Sequence, residues 1–335
     1  MPLPRIMTPT DSYRRHYPQF VDFANRQLED QLWTSTEMKV ELDKMQLKYE
    51  LTPEQLHTVS KLLEIFLQYE LIVGEEFWMG RVMRVFPRPE VKIMASVFGM
   101  TELAIHAEFY NQINTVLGKD RDKDYTAYKK DPELLSRIEW LREVLDGEDD
   151  ILSVATFSLT ETALLFSAFA VFKSFQSNGY NLLPVIVRGT NQSAIDESLH
   201  GEGSAELINV YYEETGGSLF EDKPRYNKIM EAVQKVFEHE CRIIDIAMPE
   251  DIFNGVVKQE YKEYVKIRLN KYLENVKCPP AFEIGECSIQ DWFELNTYGY
   301  KSVDFFTPGV GMEYESSWDT SGFARGLTME EGDLM

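Results

Sequence analysis

Cysteine is scarce in this chain of 335 residues, and positive charge is in deficit. The three cysteines (Cys241, Cys278 and Cys287) form no Cys-x-x-Cys pair and no even-numbered framework. That excludes a disulfide scaffold and suits a reducing cytosol, so a cytoplasmic location is the expectation. Lys and Arg number 34 against 56 Asp and Glu, a net charge of -22. Phosphate backbones and anionic lipid surfaces repel such a chain, which argues against nucleic-acid and membrane-surface partners. No apolar run approaches the ~20 residues that a membrane span needs. The N-terminal MPLPRIMTPTDSYRRHYPQF has no apolar core of the kind a secretory signal carries. Strand signals are almost missing: no alternating β-branched runs flank Asn-Gly or Asp-Gly turns. No repeat of 20–50 residues is present.

What is there is helical periodicity over a 44% hydrophobic chain, ample for a large core. Thr52-Pro53-Glu54 reads as an N-cap with proline at the first helical position, opening a helix to about Phe86. Pro87 and Pro89 break it, and a second long helix runs from about Glu90 to Leu117, stopped by Gly118. The stretch 119–130 is charged and loop-like, and Asp131-Pro132-Glu133 starts a shorter helix that ends near Gly147. Two further long helices cover about 150–177 and 183–214. Residues 224–248 and 249–277 read as two more, split at Pro249. After Pro279-Pro280 the pattern decays, and from about Thr307 Gly, Ser, Asp and Glu dominate, as in a flexible tail. The expected organisation is an N-terminal segment (1–20), an all-α helical domain (21–280) and a C-terminal segment with the tail (281–335).

Polar residues inside the apolar helices carry the chemistry. Glu197 and His200 lie three apart in Ala194-Ile195-Asp196-Glu197-Ser198-Leu199-His200, on one helical face where both can bind one ion. Glu161 sits in Phe157–Phe166, an apolar stretch in which a carboxylate is costly unless paired or metal-bound. The first half repeats the pattern: Glu102 and His106 lie in Met100–His106, with Glu70 one helix earlier in Phe66–Val73. The lone glutamate precedes its Glu/His pair by 32 residues in the first half and by 36 in the second. One Glu-x-x-His on a helix is usually a solvated pair. Two Glu/His pairs, each trailing an intrahelical glutamate, are the ligand set of a di-iron or di-manganese carboxylate protein in a four-helix bundle. By contrast, His239, in Glu238-His239-Glu240, reads as part of an exposed face.

These residues carry a resemblance. Asp196-Glu197-Ser198-Leu199-His200 resembles the Asp-Glu-x-x-His motif of class I ribonucleotide reductase small subunits, and Glu102–Tyr110 (ELAIHAEFY) resembles their Glu-x-x-His-x-x-x-Tyr segment. The likeness spans about residues 20–275. It implies a ferritin-like bundle with Glu70, Glu102, His106, Glu161, Glu197 and His200 as ligands of two metal ions. Fe/Fe is the first expectation, with Mn/Mn or Mn/Fe as alternatives. It also implies a radical-forming Tyr110 and a transfer route through Asp196, Trp33 and Tyr314 to a large catalytic subunit that the tail docks, together with a homodimer. Leu165 and Phe169 are candidate walls for Tyr110. Two departures stand out. The chain has Glu-x-x-x-His at 102–106 where the family has Glu-x-x-His, one residue that a π-bulge can absorb. Glu70 stands where an aspartate is usual, with Glu75 and Glu76 as rivals.

Other readings use the same residues. Trp33 can be core packing, Asp196 can simply orient a histidine, and Trp318 or Tyr300 can replace Tyr314. A ferritin-like oxidase or oxygenase acting on an organic substrate is the alternative function, and a metal-storage or structural helical protein is the third class.

Overall fold

The computed structural model describes residues 3–298. Nine helices organise the described residues: α1 (Pro18–Asn25), α2 (residues 53–85), α3 (residues 89–117), α4 (Pro132–Asp146), α5 (residues 150–174), α6 (Pro184–Thr215), α7 (Lys223–Ala247), α8 (Lys258–Asn275) and α9 (Ile289–Tyr298). Short 3-10 and π turns fill much of residues 26–50. The compact unit extends through Thr297, so residues 281–297 belong with the bundle. Backbone and side chains tie them there: Glu263 of α8 accepts from Gly285 N and Glu260 accepts from Ser288 N.

Helices α2 and α3 pack as one antiparallel pair and α5 and α6 as another, with α2 against α5. Helix α1 covers α3, while α7 and α8 pack on each other and on α5. The start of α2 is fixed by a capping box. Thr52 Oγ1 accepts from Gln55 N at 3.2 Å, and Gln55 Oε1 accepts from Thr52 N at 3.0 Å. At the far end of α3, Gly118 takes the left-handed conformation (φ 70°) that closes a helix.

Helix α5 is enclosed on all sides, with every residue from Ser153 to Phe175 buried. Its length and composition would suit a membrane span, contrary to the reading of apolar runs from sequence, but its most apolar 18-residue window is entirely buried inside the bundle. Apolar residues around the full circumference mark a core helix as much as a membrane one.

Three of the four core helices are locally underwound into wider π turns: Ile72–Val82 in α2, Thr101–His106 in α3 and Thr160–Leu164 in α5. All three lie at or beside the acidic residues singled out above.

Two local expectations fail. The helix read over 249–277 begins only at Lys258, because Ile252–Phe253 and Val256–Val257 pair as a two-stranded antiparallel hairpin. Its turn is Asn254-Gly255, both at positive φ (47° and 80°), the Asn-Gly signal that the search for strands passed over. Residues 119–130 are also not plain loop: Asp122–Tyr125 and Ala127–Lys130 each form a helical turn.

Candidate metal centre

The four core helices each aim carboxylates inward at one level. Glu70 comes from α2, Glu102 and His106 from α3, Glu161 from α5, and Glu197 and His200 from α6. All six side chains are buried, at 1% exposure or less. Their ligand atoms form two overlapping groups. The first is Glu70, Glu102, His106 and Glu197, and the second is Glu102, Glu161, Glu197 and His200. Within each group the atoms lie within 4.8 Å of one another. Glu102 and Glu197 belong to both. The imidazoles flank the cluster with ring centroids 6.3 Å apart. His106 Nδ1 lies 2.9 Å from Glu102 Oε2, and His200 Nδ1 lies 2.5 Å from Glu102 Oε1.

The π turn explains the odd spacing at 102–106. Widening of Thr101–His106 absorbs the additional residue, so Glu102 and His106 reach the same ion site although four apart. The rivals of Glu70 do not compete, since Glu75 and Glu76 are both exposed.

Electrostatics alone make this cluster unfavourable. Burial and then the neighbouring Glu102 charge push the Glu70 carboxyl well up, and burial with Glu197 and Glu102 does the same to Glu161. Glu197 is raised for the same reasons. Glu102 is held low despite burial, because His200 and His106 both face it. His106 rises well above its usual range as Glu102, Asp196 and Glu197 outweigh its own burial. Both oxygens of Glu70, Glu161 and Glu197 make no hydrogen bond, nor does one oxygen of Glu102 or His200 Nδ1. Buried polar atoms are almost always paired, and unpaired carboxylates cost the most. An all-oxygen and nitrogen donor set of this size fits two hard divalent cations, whose charge relieves the repulsion and occupies the orphaned atoms.

A hydrogen-bonded layer encloses the cluster. Asp196 Oδ2 lies 3.0 Å from His106 Nε2 and accepts from Trp33 Nε1 at 2.8 Å. Its other oxygen accepts from Gln27 Nε2 at 2.9 Å, while Gln27 Oε1 lies 3.2 Å from His200 Nε2. Gln27 and Asp196 thereby connect both histidines, and Gln27 escaped the sequence reading altogether. Trp33 is 2% exposed and stacks on the His106 ring at 5.8 Å, from a stretch without regular secondary structure.

Tyr110 is fully buried one turn beyond His106. Its ring meets Phe66 edge-on at 4.7 Å and Phe109 at 5.2 Å. Phe169 stands behind Phe66 at 6.0 Å. The hydroxyl has no hydrogen bond within normal geometry, and Ser193 is the hydroxyl beside it. Burial, then the Glu70 charge, pushes this phenol well up, with His106 opposing. A second buried phenol, Tyr69, also has an unpartnered hydroxyl and feels Glu161 and Glu197.

The sequence profile described as "Ribonucleotide reductase, small chain" matches residues 11–287. The chain belongs to that family. A probable ribonucleoside-diphosphate reductase small subunit of Invertebrate iridescent virus 6 is 24% identical over 315 residues, covering 86% of this chain and 82% of that one. Among solved structures, the ribonucleotide reductase R2 subunit from Clostridium botulinum superposes with a TM-score of 0.72 at 19% identity, covering 84% of this chain and 90% of that one. A putative class I ribonucleotide reductase from Bacillus halodurans gives 0.70 at 16% identity, covering 79% and 94%. The ribonucleotide reductase small chain is thus an all-α, ferritin-like bundle, part of an enzyme that also needs a large subunit, and its family implies the di-metal centre that the buried cluster fits.

His239 is not on an exposed face: it is 5% exposed, with Nδ1 3.5 Å from Glu133 Oε1 and its ring 6.4 Å from Trp140. Burial, chiefly, pushes it down to about 4. Tyr314, with its alternatives Tyr300 and Trp318, lies outside the described residues.

Proposed function

We propose that this small chain generates a tyrosyl radical at Tyr110, which passes to a large subunit for reduction of ribonucleotides to deoxyribonucleotides. Convergence of the two Glu/His groups beneath a buried, unpartnered phenol carries the reading. Glu70 and His106 would hold one ion, Glu161 and His200 the other, with Glu102 and Glu197 shared between them. When bound, two redox-active ions supply the capacity to reduce oxygen and remove one electron from a neighbouring group.

The chain's own residues do the rest. Tyr110 gives up an electron, and its hydroxyl proton leaves toward Glu70, the carboxylate that acts on it most strongly. Phe66 and Phe109 exclude water and reductants from the ring. Asp196 holds His106 and Trp33 through one oxygen, so an electron and a proton at Trp33 Nε1 have a short way to the centre. We assign Tyr314 to the relay toward the large subunit, and the segment beyond the compact unit to docking it. A homodimer and a cytoplasmic setting complete the proposal. Cys241, Cys278 and Cys287 are all unpaired, which suits a reducing compartment. An oxidase or oxygenase of the same architecture needs no such Trp33–Asp196–His106 connection, which favours the reductase.

Iron or manganese added anaerobically to metal-free protein, followed by oxygen, should give a tyrosyl signal by electron paramagnetic resonance. Tyr110→Phe should abolish it. A signal that persists in that variant overturns the assignment of Tyr110. Parallel loading with each metal, scored by radical yield, decides between Fe/Fe, Mn/Mn and Mn/Fe.

A further inference from the structure

The π turn bearing Glu161 is gripped from outside the metal centre. A π turn sets one residue more into the i→i+4 ladder, so a nearby carbonyl loses its usual amide and needs another donor. Two carbonyls of the turn Thr160–Leu164 accept from arginine. Arg137 Nη2, from α4, donates to Leu164 O at 3.0 Å, and Arg268 Nε, from α8, donates to Thr162 O at 3.0 Å. Neither π turn of α2 or α3 receives an arginine on its carbonyls among the described residues.

Both arginines are themselves fixed. Arg137 is 2% exposed, and its Nη1 lies 2.9 Å from Glu240 Oε1 of α7. Glu240 in turn accepts from the Ser167 hydroxyl at 2.5 Å, back on α5. The Arg268 guanidinium sits 3.4 Å from the centroid of the Phe166 ring, one residue past Leu165 where α5 resumes. On the opposite side the turn presses on α6: a Cβ at Gly201 would lie 2.5 Å from Thr162 Oγ1. The turn is clamped between α6, one residue after His200, and the two guanidinium groups.

We infer that Arg137 and Arg268 are positioning residues that hold α5 in its widened form, and so aim Glu161 at the second ion site. The inference rests on the metal-centre reading above. It gives a buried, costly guanidinium at Arg137 a reason beyond pairing with Glu240.

Cobalt(II) titration of the full-length, metal-free protein tests it, read by visible d–d bands, with backbone hydrogen exchange over residues 160–165. The wild-type chain should bind two cobalt ions. Arg268→Leu removes the donor from a half-buried position, so thermal melting should show a folded protein. The second cobalt should weaken by about 10–100-fold, the usual effect of losing a group that orients a ligand. Its bands should change and exchange at 160–165 should accelerate, while the first cobalt is untouched. Arg268→Lys, which can still donate to Thr162 O, should recover part of the affinity. Arg137→Lys, acting on the other carbonyl, should also weaken the second ion selectively. Wild-type affinity and bands for the second cobalt in both Arg268→Leu and Arg137→Lys overturn the inference. A wild-type chain that binds no cobalt pair overturns the metal centre and this inference with it.

Discussion

Asp196 spends one oxygen on two partners, His106 and Trp33, and the other on Gln27. Asparagine in its place is nearly isosteric but has a single acceptor oxygen, so it cannot serve Trp33, His106 and Gln27 together. Asp196→Asn should retain both metal ions, measured by elemental analysis, and still form the Tyr110 radical. Nucleotide reduction with the large subunit should fall by about 10–100-fold or more. If turnover is unchanged, the Trp33–Asp196–His106 connection is orientation alone. At this scale the sequence was informative where chemistry comes in pairs. Glu102/His106 and Glu197/His200 are read from spacing because each pair rides one helix. Gln27 gave no such signal, since it reaches Asp196 and His200 across 169 and 173 residues of chain. Ser193 beside Tyr110 was equally silent, being one small polar residue on a long helix.

Helices meet closely around the centre, and glycine sets how closely. A Cβ on Gly189 of α6 would run into the Phe109 ring. That ring cannot swing clear, because Trp33 lies edge-on at 5.6 Å and Tyr110 at 5.2 Å. Gly189→Ala should therefore destabilise the protein by about 1–3 kcal/mol, the ordinary cost of overpacking, seen as a lower midpoint in urea unfolding. It should also alter the radical's spectrum by moving Tyr110; an unchanged midpoint would mean the interface is slack. Helix existence was legible from periodicity and from caps such as Thr52 and Gly118. The π turns were not, except at 102–106, where the irregular Glu/His spacing betrayed one. Winding of α5 depends on Arg137 and Arg268, donors far away in the chain, and no local pattern can announce them.

Across the whole molecule, acid sensitivity has a site outside the metal centre. His239 is pushed from about 6.5 down to about 4, chiefly by burial, with Arg137, Arg242 and Lys235 adding and Glu133 opposing. Above pH 6.5 it is neutral in both the folded and unfolded chain. Between about 6.5 and 4 the unfolded chain takes up a proton that the folded one refuses, so its share of stability is whole above 6.5 and is lost toward pH 4. Replacing it, as His239→Gln, should flatten the fall in Tm between pH 6.5 and 4 relative to the wild type. An identical pH profile would place the sensitivity elsewhere. Composition and periodicity made the all-α architecture readable at this scale. They misjudged His239, because flanking Glu238 and Glu240 suggested solvent while Glu240 in fact turns inward to Arg137.

The six inward-facing donors are 1% exposed or less, and the chain along α5 is buried at 23 consecutive positions from Ser153 to Phe175. An ion can enter or leave only when the bundle opens locally, on the slow timescale of amide exchange in a protein core. Which element this protein carries is then decided by what is on hand when it folds or breathes, and the occupant is retained long after the surrounding supply has changed.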